Sequence, residues 1–453
     1  MDPAPQQQSL PAVSASKPAP PVIAAPEETI VPDLNANVEM DVHGIEKYEA
    51  AIRQMLQQEK FQEIDRLAFE ARTSKALFPG GYWKVHTIYL ALAKPQAGLK
   101  ASEEEWTRHL ALIEQWKQQY PNSITARIAL AEAYNDYGWK ARGGGYADSV
   151  AQEGWQLLAE RASKAEKILE EAEALPEKCP EWFAAMITVA RTQEWDADHL
   201  NALFQKAIAF EPDYYYYYRM LADSLLPKWD GAEGDSARFA EAMADRIGGK
   251  KGDVIYFEIA TTIICACNNE RGLNGMSWPR IKNGYQALQE LYGPSISHKN
   301  EIALMAFRAA DFDYATTVFD QIGDDWDKGV WLKRDTFYNF KFQATIPRIK
   351  RSMAEAKENA RTPEGQLFSY TLLSEMEKNY HQKLLDCMKS APEYQTPFMG
   401  MLLQLSKDGT VRDVMFAARN APAACFRPQL EKAVLPAPPK PDYWVMVQMN
   451  VAK

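Results

Sequence analysis

Histidine is scarce in this chain of 453 residues: His43, His86, His109, His199, His298 and His381 are all there are, and no two fall within one helical turn of each other. That removes the His-Glu-x-x-His spacing of a helical zinc site. The Gly-x-Ser-x-Gly elbow and the phosphate-cradling Gly-x-x-x-x-Gly-Lys-Ser/Thr loop are missing too. The one Ser-x-x-Lys, Ser14 to Lys17, lies in a proline-rich leader that gives a nucleophile no scaffold. Asp324, Asp325 and Asp327 cluster without the calcium-loop spacing. Cysteine is limited to Cys179, Cys265, Cys267, Cys387 and Cys425, an odd number scattered along the chain, so the expectation is buried inert thiols and no disulfide framework. Cys265 and Cys267 would point to nearly opposite faces of a helix, a poor geometry for one metal. Apolar runs of the roughly 18 residues that a membrane helix needs are absent, as are the basic start and apolar core of a secretion signal. Excess positive charge is lacking as well: 51 Lys and Arg stand against 61 Asp and Glu, a net charge of -10, which argues against a nucleic-acid partner.

What is present is the composition of a folded protein, 46% hydrophobic and 25% charged. Residues 1–42 carry eight prolines among Ala, Ser and Gln and read as a disordered linker, of the sort that follows a membrane anchor or a cleaved leader. From Ile45 helical periodicity takes over. Ile45, Tyr48, Ile52, Met55 and Leu56 are answered by Phe61, Ile64, Leu67 and Ala68 after a polar break, a helical hairpin. Trp106, Leu110, Ile113 and Trp116 repeat the pattern up to Pro121, and Ser123 caps a further helix. Between Pro180 and Pro212, Ala184, Ala185 and Ala190 face Leu200, Leu203, Ala207 and Ile208 over nearly the roughly 34-residue tetratricopeptide period. A weaker copy follows Pro294, turning at Asp311–Asp313. Near residue 398 the period changes: Phe398–Leu405 and Thr410–Ala418 flank Lys407-Asp408-Gly409, a hairpin signal, before a helix over Pro422–Val434 and a strand over Tyr443–Val451.

The expected fold is therefore mainly α: a linker over 1–42, a tetratricopeptide-like helical-hairpin array over 43–395, and a small α+β module, strand-strand-helix-strand, over 396–453. Residues from about 45 to 345 also resemble the bacterial domain-of-unknown-function family 4034. The landmarks are Gly81-Tyr82-Trp83-Lys84, Trp116 with Pro121-Asn122-Ser123, Tyr137-Gly138-Trp139-Lys140-Ala141-Arg142-Gly143, Cys179-Pro180-Glu181-Trp182, Leu226-Pro227-Lys228-Trp229-Asp230-Gly231 and Ser277-Trp278-Pro279-Arg280. That family implies no activity. The C-terminal module resembles the C-terminal domain of TonB-type energy transducers, on its element order, Asp408-Gly409-Thr410-Val411, Cys425 with Leu430, and Pro436–Trp444. This resemblance implies a periplasmic location and protein contacts through an exposed strand edge, at Tyr443, Trp444 and Val445.

Candidate binding residues gather in loops. Trp139, Arg142, Gly143, Gly144, Gly145 and Tyr146 combine a permissive backbone, a guanidinium fork and stacking rings. Lys228, Trp229 and Asp230 fill a long turn, and Trp278 and Arg280 another; Trp331 is a further candidate for stacking on a glycan or peptide. The run Tyr214–Tyr218 surrounds a helix start, so some of its phenols are expected at the surface. With no catalytic constellation, no metal site and no cofactor motif, the leading expectation is a non-enzymatic scaffold of the bacterial cell envelope, binding a protein partner through a helical groove and a C-terminal edge strand. The alternative is an enzyme or binding module for a small molecule or glycan near Arg142 and Gly143–Gly145, with Glu132 or Asp230 as acid-base groups. A cytoplasmic location is the alternative to the periplasm.

Overall fold

Helix starts in this chain are written in short polar side chains. Ser102 accepts from the Glu105 amide while Glu105 reaches back to Ser102, a capping box, and Ser123, Asp196, Ser295 and Asp311 each accept an amide of the first turn that follows. The computed structural model describes residues 42–145, 147–229, 231–264, 272–389, 398–417, 421–431 and 433–451. The expected linker, apart from Val42, lies outside them, as do Cys265, Cys267, Tyr146 and Asp230.

The helices are α1 (Val42–Gln57), α2 (Phe61–Ser74), α3 (Lys84–Leu92), α4 (Glu103–Gln119), α5 (Ile124–Arg142), α6 (Gln152–Glu173), α7 (Pro180–Thr192), α8 (Ala197–Phe210) and α9 (Tyr216–Ser224). They continue with α10 (Asp235–Ile247), α11 (Gly249–Ile263), α12 (Trp278–Tyr292), α13 (Ile296–Arg308), α14 (Phe312–Ile322), α15 (Lys328–Trp331), α16 (Arg334–Asn359) and α17 (Pro363–Lys389). The C-terminal elements are β1 (Phe398–Leu405), β2 (Val411–Phe416), α18 (Ala421–Leu430) and β3 (Tyr443–Asn450). The protein is thus mainly helical with one small antiparallel sheet of order β2-β1-β3. The strand-strand-helix-strand order read from the sequence is the order observed.

One apolar core runs from Tyr48 on α1 to Ala344 on α16. Helix α5 lies at its centre, with Ile124, Ala126, Ile128, Ala129, Leu130, Ala131 and Ala133 buried all around its axis, and small residues there let neighbours close in. A β-carbon on Gly154 of α6 would sit 2.8 Å from the carbonyl oxygen of Ala141, so only glycine permits the α5–α6 approach. A second core joins β1, β2, α18 and β3 to Phe368, Leu372, Met376, Leu384 and Cys387 of α17, and Ala356 of α16 packs with Leu402 and Trp444. The sheet therefore rests on two long helices that the periodicity reading did not single out.

Two cysteines depart from expectation. Cys387 on α17 and Cys425 on α18 form a disulfide, their Cα atoms 5.6 Å apart, where inert thiols were expected. Among the described residues Cys179 is a buried free thiol, and burial first, with Tyr89 and Arg72 opposing, pushes it up to about 11. The hairpin follows the Asp-Gly signal: Gly409 takes φ +85°, and Asp408 accepts from Ser406 Oγ and the Thr410 amide, which hold its carboxyl down at about 2.

Candidate ligand cleft

The run of helices closes on itself. The Gly80 amide donates to the Tyr292 carbonyl at 2.9 Å, Ser295 Oγ meets the Tyr82 hydroxyl, and the Tyr82 ring stacks on His298 with centroids 4.6 Å apart, although these partners lie more than 200 residues apart in sequence. Inside this closure is a cleft of about 690 Å³, bounded by Ile45 and Glu49 of α1, His86 and Leu90 of α3, Arg191 of α7, Tyr216, Arg219 and Asp223 of α9, Thr261 and Thr262 of α11, Glu301 and Leu304 of α13, and Asp327 and Val330 around α15. That volume lies within the range of small-molecule sites.

Two buried networks form its walls. In one, His86 Nδ1 lies 2.9 and 3.0 Å from the two oxygens of Glu181, whose second partner is the Tyr214 hydroxyl, and the His86 ring stacks at 3.6 Å on Tyr216. A carboxylate accepts, so Nδ1 carries a proton and donates it to Glu181. Behind it Glu132 is held well above the usual carboxylate range by burial and by the charges of Glu181 and Asp136. In the other, Arg219 donates from Nε to Thr262 Oγ1 at 2.7 Å and from Nη1 to the buried Glu258 at 3.3 Å. Glu258 also lies 3.3 Å from His298 Nε2, and Glu301 3.7 Å from the same nitrogen. Burial disfavours the His298 charge, but Glu258 and Glu301 outweigh it and raise its value, while burial lifts Glu301 to about 7 against the pull of His298 and Arg219. A carboxyl group raised to about 7 on the wall of a cleft, as Glu301 is, is a mark of functional sites.

The loop residues singled out from sequence divide. Trp139 meets Trp229 edge to face at 5.9 Å; Arg191 lies over the Trp229 ring, and Lys228 pairs with Asp223 at 2.9 Å. These residues form a rim, and Arg191 and Asp223 connect it to the cleft. Arg142 sits over both Trp139 and Trp155, and its Nη1 donates to the carbonyls of Gly143 and Gly145, so its guanidinium closes the end of α5. A β-carbon on Gly143 or Gly144 would meet open space, so the glycines provide the turn, with φ +78° at Gly143, rather than a contact. Trp278 donates to Asp311, and Arg280 pairs with Asp245 over the Tyr256 ring, away from the cleft. Trp331 is fully buried, not a surface platform.

All five phenols of Tyr214–Tyr218 are buried too, contrary to expectation. Each hydroxyl has a partner: Tyr217 donates to the Pro180 carbonyl, Tyr218 to the Pro212 carbonyl, Tyr215 to Tyr216, and Tyr214 to Glu181. At the far end Tyr443, Trp444 and Val445 are buried as well, and the Asn359 side chain donates to the Trp444 carbonyl, so the open part of β3 begins beyond Trp444. Sequence reasoning missed the cleft itself. Its signal is a second, polar stripe at helical spacing, as in Tyr216, Arg219, Met220 and Asp223, or Ser297, Glu301 and Leu304. Comparison of the chain with models of protein families, with curated proteins and with solved structures finds no match.

Proposed function

We propose that this protein is a ligand-binding component of the bacterial cell envelope, whose tetratricopeptide-like helical body holds a small ligand in the central cleft. The observation that carries the reading is the cleft at the closure of the helical run, about 690 Å³ and walled by two networks of buried ionisable side chains. Buried charge is expensive to maintain, and a stable helical array has no need of it. The Cys387–Cys425 disulfide supports an oxidising compartment, which agrees with the periplasmic location that the TonB-like resemblance implies. Among the described residues no helix is long and apolar enough to cross a membrane. The C-terminal module then supplies the contact with a protein partner, through the part of β3 beyond Trp444. The resemblance to family 4034 adds no chemistry to this reading.

Filling the cleft tests it. Thr261 is half-buried on the wall, and Thr261→Trp places an indole in the space while leaving the buried networks in place. In a thermal-shift panel of amino acids, amines, dicarboxylates and amino sugars, compounds that raise the melting temperature of the wild type should lose that effect on Thr261→Trp. Hits that stabilise both proteins equally bind elsewhere, and the proposal is then wrong.

A further inference from the structure

The class of ligand follows from which charges of the cleft are already answered, an argument that rests on the cleft being a binding site. Arg191 is matched by Asp223 at 2.6 Å, and Arg219 by Glu258 and Thr262. The wall opposite is different. Glu301 Oε2 is closed to solvent and has no hydrogen-bond donor; the nearest charged nitrogen, His298 Nε2, is 3.7 Å away and is shared with Glu258. Asp327 Oδ1 accepts from the Gly329 amide at 2.7 Å, and among the described residues Asp327 faces no Lys or Arg within ion-pair distance. The Tyr82 ring stacks on His298, whose Nε2 lies 3.7 Å from Glu301, and the Asp327 amide donates to Asn300 beside Glu301, which places the three groups in one corner of the cleft. The same cleft is lined by the stacked rings of His86 and Tyr216, with Leu90 and Met220, which provide an apolar and aromatic surface.

A half-buried carboxylate with one oxygen left without a donor is destabilising until a cation or donor reaches the group, and an aromatic face beside it adds to the attraction for positive charge. We propose that the cleft selects an organic cation, seating its ammonium or guanidinium group between Glu301, Asp327 and the Tyr82 ring and laying its apolar part along the His86–Tyr216 stack. The shared chemistry covers a free amine and a basic side chain of a peptide. Arg191 and Arg219, already paired, orient their carboxylate partners and do not bind the ligand's charge.

An isosteric series tests the charge. Phenethylammonium, 2-phenylethanol and phenylacetate present one ring with a positive, a neutral and a negative terminus, and their binding to the full chain at pH 8 is read by saturation-transfer NMR and calorimetry. Phenethylammonium should bind at least tenfold more tightly than the other two. Glu301→Gln, isosteric and therefore expected to fold, should remove most of that preference. Binding of phenethylammonium should also weaken at least threefold from pH 8 to pH 6, as Glu301 takes up a proton beside His298, Arg219, Glu258 and Asp327. An unchanged preference in Glu301→Gln, or an affinity that is flat with pH, overturns the proposal. If 2-phenylethanol or phenylacetate binds as well as the cation and Thr261→Trp blocks it, the cleft stands and the cation selectivity falls. If none of the three binds and the panel of amines and amino acids gives no cleft-dependent shift, both readings fail together. A lysine-containing tripeptide set against the free amine distinguishes a peptide side chain from a small amine as the source of the charge.

Discussion

Glu301 carries more of the account than any other side chain, and its energetics have a measurable sign. Burial raises its folded value from 4.5 to about 7. A folded value above the unfolded one means that the fold favours the neutral acid: this contribution is complete below about pH 4.5 and is lost as pH rises through about 7. Glu301→Gln stays neutral throughout. In denaturant titrations the variant should therefore match the wild type near pH 4.5 and exceed it at pH 8 by on the order of 1–3 kcal/mol. His298 works against part of this gain at low pH. Its raised value gives stability below about pH 6.5 that fades as pH rises through the folded value, and the variant removes one of the two carboxylates that support that charge. A stability difference independent of pH would mean that the Glu301 carboxylate is solvated in the fold. None of this was legible in the sequence. A glutamate at helical spacing from Ser297 and Leu304 looks like an ordinary solvated face until the closure of the array puts Tyr82 and His298 over it.

At the scale of elements, the sequence located what local chemistry determines. Ser123 caps α5 where capping logic puts it, Pro180 opens α7, and Asp408-Gly409 turns the hairpin, because each depends on a few neighbouring residues. The support of the sheet was not legible, since it depends on two helices whose apolar residues meet strands later in the chain. Helix α17 presents Phe368, Leu372, Met376 and Leu384 to that core, and the Cys387–Cys425 bond ties α17 to α18 across 38 positions. An even subset of an odd cysteine count gives no hint of pairing. For a loop of that length the loss of unfolded-state entropy corresponds to about 3–4 kcal/mol. Cys425→Ser should lower the stability of the C-terminal module by up to about that amount and leave the cleft-bearing body at its wild-type unfolding midpoint. Limited proteolysis should then cut first within 398–453. Cleavage that begins in α1–α15 would show that the bond stabilises the whole chain.

For the whole molecule, the consequential fact is closure. The segment around Gly80–Tyr82 reaches the start of α13, and this long-range contact converts a succession of helices into a body with an interior. Helical periodicity reports which face of a helix is apolar; it does not report whether the first and last hairpins of a row meet. For the same reason the loop candidates divide in space: Trp139, Lys228 and Trp229 gather at the rim, while Arg142 finishes its own helix and Trp278 and Arg280 face elsewhere. The most direct test of the cleft as the ligand site is hydrogen–deuterium exchange of the full chain with and without saturating phenethylammonium. The account expects slower exchange confined to 79–90, 216–223, 295–305 and 326–330, four segments that all line the cleft. Protection confined to the C-terminal module, or none at a concentration where binding is measured, would contradict it.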